Sequence, residues 1–210
     1  MSKISVLMSV YKKENPEYLR ASLESILVQT RTADEILLIE DGPLTQELYQ
    51  VVAEYQKKCD YLHVHAMEQN VQLGRALAKG VELCQYDLIA RMDTDDMAMP
   101  DRLEKEEAYM EAHPEVDVVG GAIREFNDEG TIDRVKNMPK TQEEILEYVK
   151  VRNPLNHMTV MYRKDSILKA GNYKHFPFLE DYSLWSRMLS QGYQFRNMED
   201  ILVRARTSMG

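Results

Sequence analysis

Four largely apolar runs, ISVLMSVY (4–11), EILLIE (35–40), LHVHAM (62–67) and DLIARM (87–92), are separated from one another by stretches of helical periodicity. A strand with one wet face alternates apolar and polar residues. A strand apolar at nearly every position must be covered on both faces, as parallel strands between layers of helices are. The first connector opens with Asn15-Pro16, a cap followed by the residue favoured at the first helical position, and its helix extends to about Thr30. Further helices are predicted over Leu44 to Lys58 and over QLGRALAKGVELC (72–84). Strand-helix-strand repetition of this kind gives an α/β fold with a mostly parallel central sheet covered by helices. Such sheets bind ligands beyond the carboxyl ends of their strands. The polar strand endings Ser9 to Tyr11, Glu40-Asp41-Gly42 and Asp93 to Asp96 should therefore converge.

The second half predicts a strand over VDVVGGAIREF (116–126), a turn at Asn127 to Gly130, and a helix from the capping box Thr141 to Glu144 to about Lys150. HMTVMYRK (157–164) reads as a strand, with helices at 165–170 and from Tyr182 to Gln191. No internal repeat or Gly/Ser/Pro linker divides the chain, so residues 1–210 are expected to form a single domain.

The acids in LIARMDTDDMAMP are crowded for a reason. Carboxylates about 5 Å apart repel by roughly 3 kcal/mol per pair at an effective dielectric of about 20, so a positive partner is expected. A net charge of -9 with both signs interspersed argues against nucleic acid, leaving a small molecule or a metal. A calcium loop counted from Asp93 fails, because Met97 and Ala98 stand where an acid and a glycine are needed. Dinucleotide and P-loop fingerprints fail too, since KKENP follows the first strand. What remains is an oxygen-only cluster at a strand end, suited to a hard divalent cation that bridges phosphates. The alternative is a solvated acidic turn before a helix at Pro100.

No stretch reaches the roughly 18 apolar residues of a membrane span, and no signal cleavage site follows the N-terminus. Cys59 and Cys84 have no CxxC spacing and read as structural thiols of a reduced, cytoplasmic protein. Met8, Met92, Met97 and Met99 flank the strand ends and read as packing.

Six segments occur in a telling order: SVY-x-x-E, a helix, EILLIEDG, N-x-x-L-G-R-A-L-A, ARMDTDD-x-x-x-P-x-R-L and EDYSLW-x-R. Together they resemble the family 2 glycosyltransferases of the GT-A fold, a Rossmann-like nucleotide-diphospho-sugar transferase architecture. The members that look most alike are bacterial enzymes building surface polysaccharides and exopolysaccharides. The resemblance spans nearly the whole chain and makes residues 1–99 the nucleotide-binding half and 100–210 the acceptor and catalytic half.

The resemblance implies an inverting transfer from a nucleotide-diphospho-sugar, a UDP-sugar, to a hydroxyl of a glycan or lipid-linked acceptor. Tyr11, Glu14 and Asp41 would hold the base and ribose, although Asp41-Gly42-Pro43 also reads as an ordinary turn. Asn70 and Arg75 match the segment that reaches the nucleotide or its diphosphate, with Leu73 before Gly74 a departure from the usual pattern. Arg91 would contact the base or pair with the nearby acids. Asp93-Thr94-Asp95 matches the DxD motif and Asp96 extends it, implying that Mg²⁺ or Mn²⁺ at Asp93, Asp95 and Asp96 neutralises the departing diphosphate. Asp181 would be the general base, or else an N-cap of the helix expected from Tyr182. Glu180 and His157 would contact the acceptor, although a lone His is also a common structural residue. Many relatives continue past ILVRARTSMG with a tail that closes over the diphosphate or meets the membrane, implying a truncated catalytic domain and peripheral association with the inner membrane face.

Two other classes compete: a nucleotide-sugar pyrophosphorylase, which would carry a Gly-rich basic loop after the first strand, and a non-catalytic sugar-nucleotide-binding module. Asp181 facing the acid cluster across a cleft would favour the transferase. Two substitutions are expected to leave the fold intact: Asp41→Ala, which removes an acceptor at a strand end, and Asp181→Asn.

Overall fold

The computed structural model describes residues 2–207. Its nine-stranded sheet has the order β3-β2-β1-β4-β8-β6-β9-β5, with β7 paired to β6. The first half supplies β1 (Ile4–Val10), α1 (Pro16–Leu27), β2 (Glu35–Glu40), α2 (Gln46–Lys58), β3 (Leu62–Ala66), α3 (Leu73–Leu83) and β4 (Leu88–Met92), close to the expected segments. Then follow β5 (Met97–Ala98), α4 (Arg102–Ala112), β6 (Val118–Phe126), β7 (Asp133–Lys136), α5 (Gln142–Tyr148), β8 (Met161–Arg163), α6 (Lys164–Lys169), α7 (Glu180–Ser190) and β9 (Phe195–Arg206). Strands β1 to β4 are mutually parallel, and β8 runs against both β4 and β6. Strand β9 is parallel to β6, so six strands share one direction while β5, β7 and β8 oppose them. The sheet is mostly parallel, as expected.

Alternation along β1 separates two cores. Ile4, Val6, Met8 and Val10 face Leu19, Leu23 and Ile26 of α1 and Leu48, Val51 and Val52 of α2. Leu7 faces the other way, into Ala76, Leu77 and Val81 of α3 and Leu184, Trp185 and Met188 of α7. Each such aliphatic residue contributes about 1.5–3 kcal/mol on full burial. Asn15 caps α1 by accepting from Glu17 N at 2.9 Å, and the capping box of Thr141 and Glu144 opens α5. Cys59 and Cys84 are free and buried, and burial pushes the Cys84 thiol up to about 12.

Two local expectations change. His157–Thr159 is a 3-10 turn rather than strand, and β8 begins only at Met161. The cause is polar: Thr159 Oγ1 donates to Asn156 O at 2.8 Å, and Asn156 Nδ2 donates to Gly121 O at 3.0 Å. Helix α7 starts at Glu180, with Leu179 at the cap position, so Asp181 lies inside the first turn and is not the N-cap. The strand-like ILVRAR residues belong to β9, a strand of 12 residues, while 208–210 lie outside the described residues.

Candidate active site

The carboxyl ends of β1, β2 and β4 meet as the parallel arrangement requires. Beyond β1, a turn closed by Glu14 N donating to Tyr11 O at 3.0 Å leaves Tyr11 44% exposed. Glu14 Oε2 accepts from Thr94 Oγ1 at 2.6 Å, tying this turn to the acid loop that follows β4.

At the end of β2, Asp41 is buried, with both carboxylate oxygens accepting hydrogen bonds. Its Oδ1 accepts from Val71 N at 2.6 Å and its Oδ2 from Asn70 Nδ2 at 2.9 Å, while burial raises its pKa. Gly42 has φ +83, and a Cβ there would stand 2.5 Å from Asn70 N, so only glycine lets the 67–72 loop approach. Asp41 is therefore both a polar group at the strand end and the anchor of the loop that carries Asn70. Arg75 stands exposed in the first turn of α3. The expectation that Asp41→Ala leaves the fold untouched does not hold, because it strands the Val71 N–H and the Asn70 amide. We expect a stability loss of about 1–3 kcal/mol in denaturant unfolding, together with weaker donor binding. Unchanged stability would show that the loop does not depend on this anchor.

At the end of β4, Arg91 is buried and makes a two-pronged ion pair with both oxygens of Asp93. Of the two roles read from the sequence, this is the ion pair; at 2% exposure the guanidinium offers no surface to a base. Carboxylate oxygens of Asp93, Asp95 and Asp96 all lie within 4.8 Å of one another. Burial, then the charges of Asp93 and Glu14, pushes Asp95 up to about 6. Burial, then Asp93 and Asp95, pushes Asp96 up to about 8. These oxygens are hard donors, and each carboxylate has about four lone-pair sites, so Asp93 can serve Arg91 and a cation together. The cluster fits a divalent metal. Sequence reading missed Arg206, at the end of β9: its N donates to Asp96 Oδ1 at 2.7 Å and its Nε to Asp95 O at 3.2 Å, and its guanidinium stacks over Tyr18 at 3.8 Å. No local signal marks a contact across 110 residues.

On the other side of Arg91 lies the start of α7. Asp181 Oδ1 accepts from Tyr182 N at 2.7 Å and Oδ2 from Asn153 Nδ2 at 2.5 Å, with His157 Nδ1 at 3.9 Å. Its side chain is 12% exposed, and burial raises its pKa, opposed by these hydrogen bonds and by Arg91. Glu180 is raised chiefly by burial and also feels the charges of Asp181, Arg91 and Asp93. His157 Nε2 lies 2.9 Å from Tyr173 Oη, and burial with Arg91 nearby holds its pKa well below the usual range, so it is neutral and structurally engaged. Helix α3 presses on this corner: a Cβ on Gly74 would stand 2.6 Å from Lys174 O and 3.0 Å from Glu180 Cβ. Asn153 also escaped sequence reading; its Asn-Pro pair signals a turn but not what the turn faces.

Residues 5–174 match the profile of Glycosyl transferase family 2. The chain is 43% identical over 202 residues to the amylovoran biosynthesis glycosyltransferase AmsE of Erwinia amylovora, covering 96% of this chain and 75% of that one. It is 34% identical over 212 residues to the UDP-Gal:alpha-D-GlcNAc-diphosphoundecaprenol beta-1,3-galactosyltransferase of Escherichia coli, covering 98% and 74%. Among solved structures, S. aureus TarS 1–349 in complex with UDP-GlcNAc superposes with a TM-score of 0.79 at 20% identity over 99% of this chain, which spans 59% of that one. That likeness identifies the fold as GT-A. With a family profile matched over most of its length and relatives 43% and 34% identical over nearly all of it, the chain belongs to glycosyltransferase family 2.

Proposed function

We propose that this glycosyltransferase of polysaccharide biosynthesis moves a sugar from a UDP-sugar to a hydroxyl of a lipid-linked or glycan acceptor, inverting the configuration at C1. One observation carries the reading: an oxygen-only acid cluster closes the carboxyl end of β4, where buried Arg91 pairs with Asp93, and the charge of that same Arg91 acts on both Glu180 and Asp181 of α7. The galactosyltransferase relative, whose name specifies UDP-Gal and a diphosphoundecaprenol acceptor, supports the donor and acceptor classes.

Tyr11 stacks on the base, Asp41 accepts from its ring N–H, Glu14 serves the base and ribose, and Asn70 and Arg75 reach toward the diphosphate. Asp93, Asp95 and Asp96 would hold Mg²⁺ or Mn²⁺, which when bound supplies positive charge against the departing diphosphate. Asp181 takes the acceptor hydroxyl proton as the oxygen–C1 bond forms, while the electron pair of the C1–phosphate bond leaves with the UDP. Asn153 and the Tyr182 N–H fix the carboxylate for that task, and Glu180 contacts the acceptor. The reading treats residues 1–210 as one catalytic domain, nucleotide-binding over 1–99 and acceptor-binding over 100–210, acting at the inner membrane face. Among the described residues no helix is long and apolar enough to cross a membrane.

The donor is tested by thermal protection with UDP-, GDP-, dTDP- and CMP-sugars plus Mn²⁺. The UDP-sugars should protect most, since ligand at about 100 times Kd stabilises by about 2.7 kcal/mol. Larger protection by another nucleotide would replace UDP. A pH dependence follows from Asp181, which works as a base only when ionised. Burial raises its pKa, so the acid limb of kcat should lie above the ordinary aspartate value of about 3.9, with activity lost as pH falls through it. A limb at or below that value would argue against Asp181 as the titrating group.

A further inference from the structure

Two exposed segments meet beside Asp181. Residues 174–179, KHFPFL, lead into α7, and Phe178 is 95% exposed, Phe176 52% and Leu179 46%. Residues 149–153, VKVRN, follow α5 and raise Val151, 75% exposed, between exposed Lys150 and Arg152. The first turn of α7 joins them: Tyr182 Oη donates to Val149 O, and Asn153 Nδ2 donates to Asp181 Oδ2. Phe178 has φ +66, the left-handed region that costs a bulky residue of order 1–3 kcal/mol, within a turn closed by Leu179 N donating to Phe176 O at 2.9 Å. The fold thus accepts backbone strain at a ring that gains almost no burial.

The charges at this rim oppose the sign of the whole. The chain carries a net -9, yet this rim presents Lys150, Arg152 and Lys174 among its apolar side chains. Glu147 holds Lys150 at 2.6 Å, whereas among the described residues neither Arg152 nor Lys174 pairs with a carboxylate. Aromatic and aliphatic tips flanked by free cations match the interface of an anionic bilayer, where rings sink below the headgroups and cations lie among the phosphates.

We propose that residues 149–152 and 174–179 dock the protein on an anionic lipid bilayer. Resting on the reading of Asp181 as the acceptor-side base, this contact holds the acceptor entrance against the membrane, where a lipid-linked sugar presents its hydroxyl.

The test is sedimentation of the full chain with vesicles of phosphatidylethanolamine and phosphatidylglycerol. Wild-type protein should bind them, and Phe176→Ser with Phe178→Ser should weaken binding by about 100-fold or more, since two rings leave the bilayer. Arg152→Glu with Lys174→Glu should abolish the preference for these vesicles over phosphatidylcholine. In Phe178→Trp, the new indole should shift its fluorescence to the blue on vesicle addition, against the constant background of buried Trp185. Absence of wild-type binding, full binding by the double serine variant, or an unshifted indole would each overturn the proposal. Metal-dependent UDP affinity, measured on the same proteins, should be unchanged by these exposed substitutions. Its absence in the wild type would sink the donor reading alone, since vesicle docking is read independently.

Discussion

Asp181→Asn is expected to keep UDP-sugar affinity close to wild type and to lose about 10²–10⁴-fold in transfer, the usual contribution of a general base. The substitution keeps the size of the side chain but cannot accept a proton at neutral pH. It is not silent in the fold. The two aspartate oxygens accept from different donors, Tyr182 N and Asn153 Nδ2, and an asparagine has a single oxygen to offer. One hydrogen bond of about 1 kcal/mol is lost, for a melting temperature lower by about 2–4 °C. The unchanged stability expected from sequence assumed a helix cap, a place where Asn serves as well as Asp. A loss confined to kcat, an unaltered Kd for donor and an inverted anomer in the wild-type product by NMR would together support the base. An active variant or a retained anomer would sink it.

The second large effect concerns the cation. UDP should bind on the order of 100-fold more tightly with Mn²⁺ or Mg²⁺ than with EDTA, because one pairwise repulsion of about 3 kcal/mol among these acids corresponds to about two decades in affinity. Arg91 cannot substitute for the metal, since its guanidinium is already committed to both oxygens of Asp93. Asp95→Asn should remove most of the metal-dependent increment and little of the affinity in EDTA. Calorimetry giving equal affinity in both buffers would refute metal-assisted donor binding.

What could be read from sequence was what is decided locally. Asn15-Pro16 and the Thr141 capping box announce their helices because caps act within one turn, and the apolar character of β1, β2 and β4 announces a sheet covered on both faces. The start of α7 was misplaced by two residues because Leu179 caps it without a side-chain hydrogen bond and so leaves no signature. Strand β5, two residues long, has no period to detect and exists because β9 lies beside it. Within the acid loop, Asp93, Asp95 and Asp96 announced themselves by type and spacing, whereas Asp181 was legible only through its resemblance to the family motif. Their partners Asn153 and Arg206 did not, since a hydrogen bond to a residue tens of positions away is a property of the fold.

The bond from Arg206 to Asp96 also sets an order in time. Chains emerge from the ribosome at about 5–20 residues per second, so the 110 residues between the two acquire a delay of roughly 5–20 seconds. During that interval β1 to β4 can pair, the β4 edge stays open until β8 emerges partway through, and Asp96 awaits its backbone donor to the end. The first half of the sheet is thus born with an open edge and an unfinished acid loop, which is completed only when the last strand arrives.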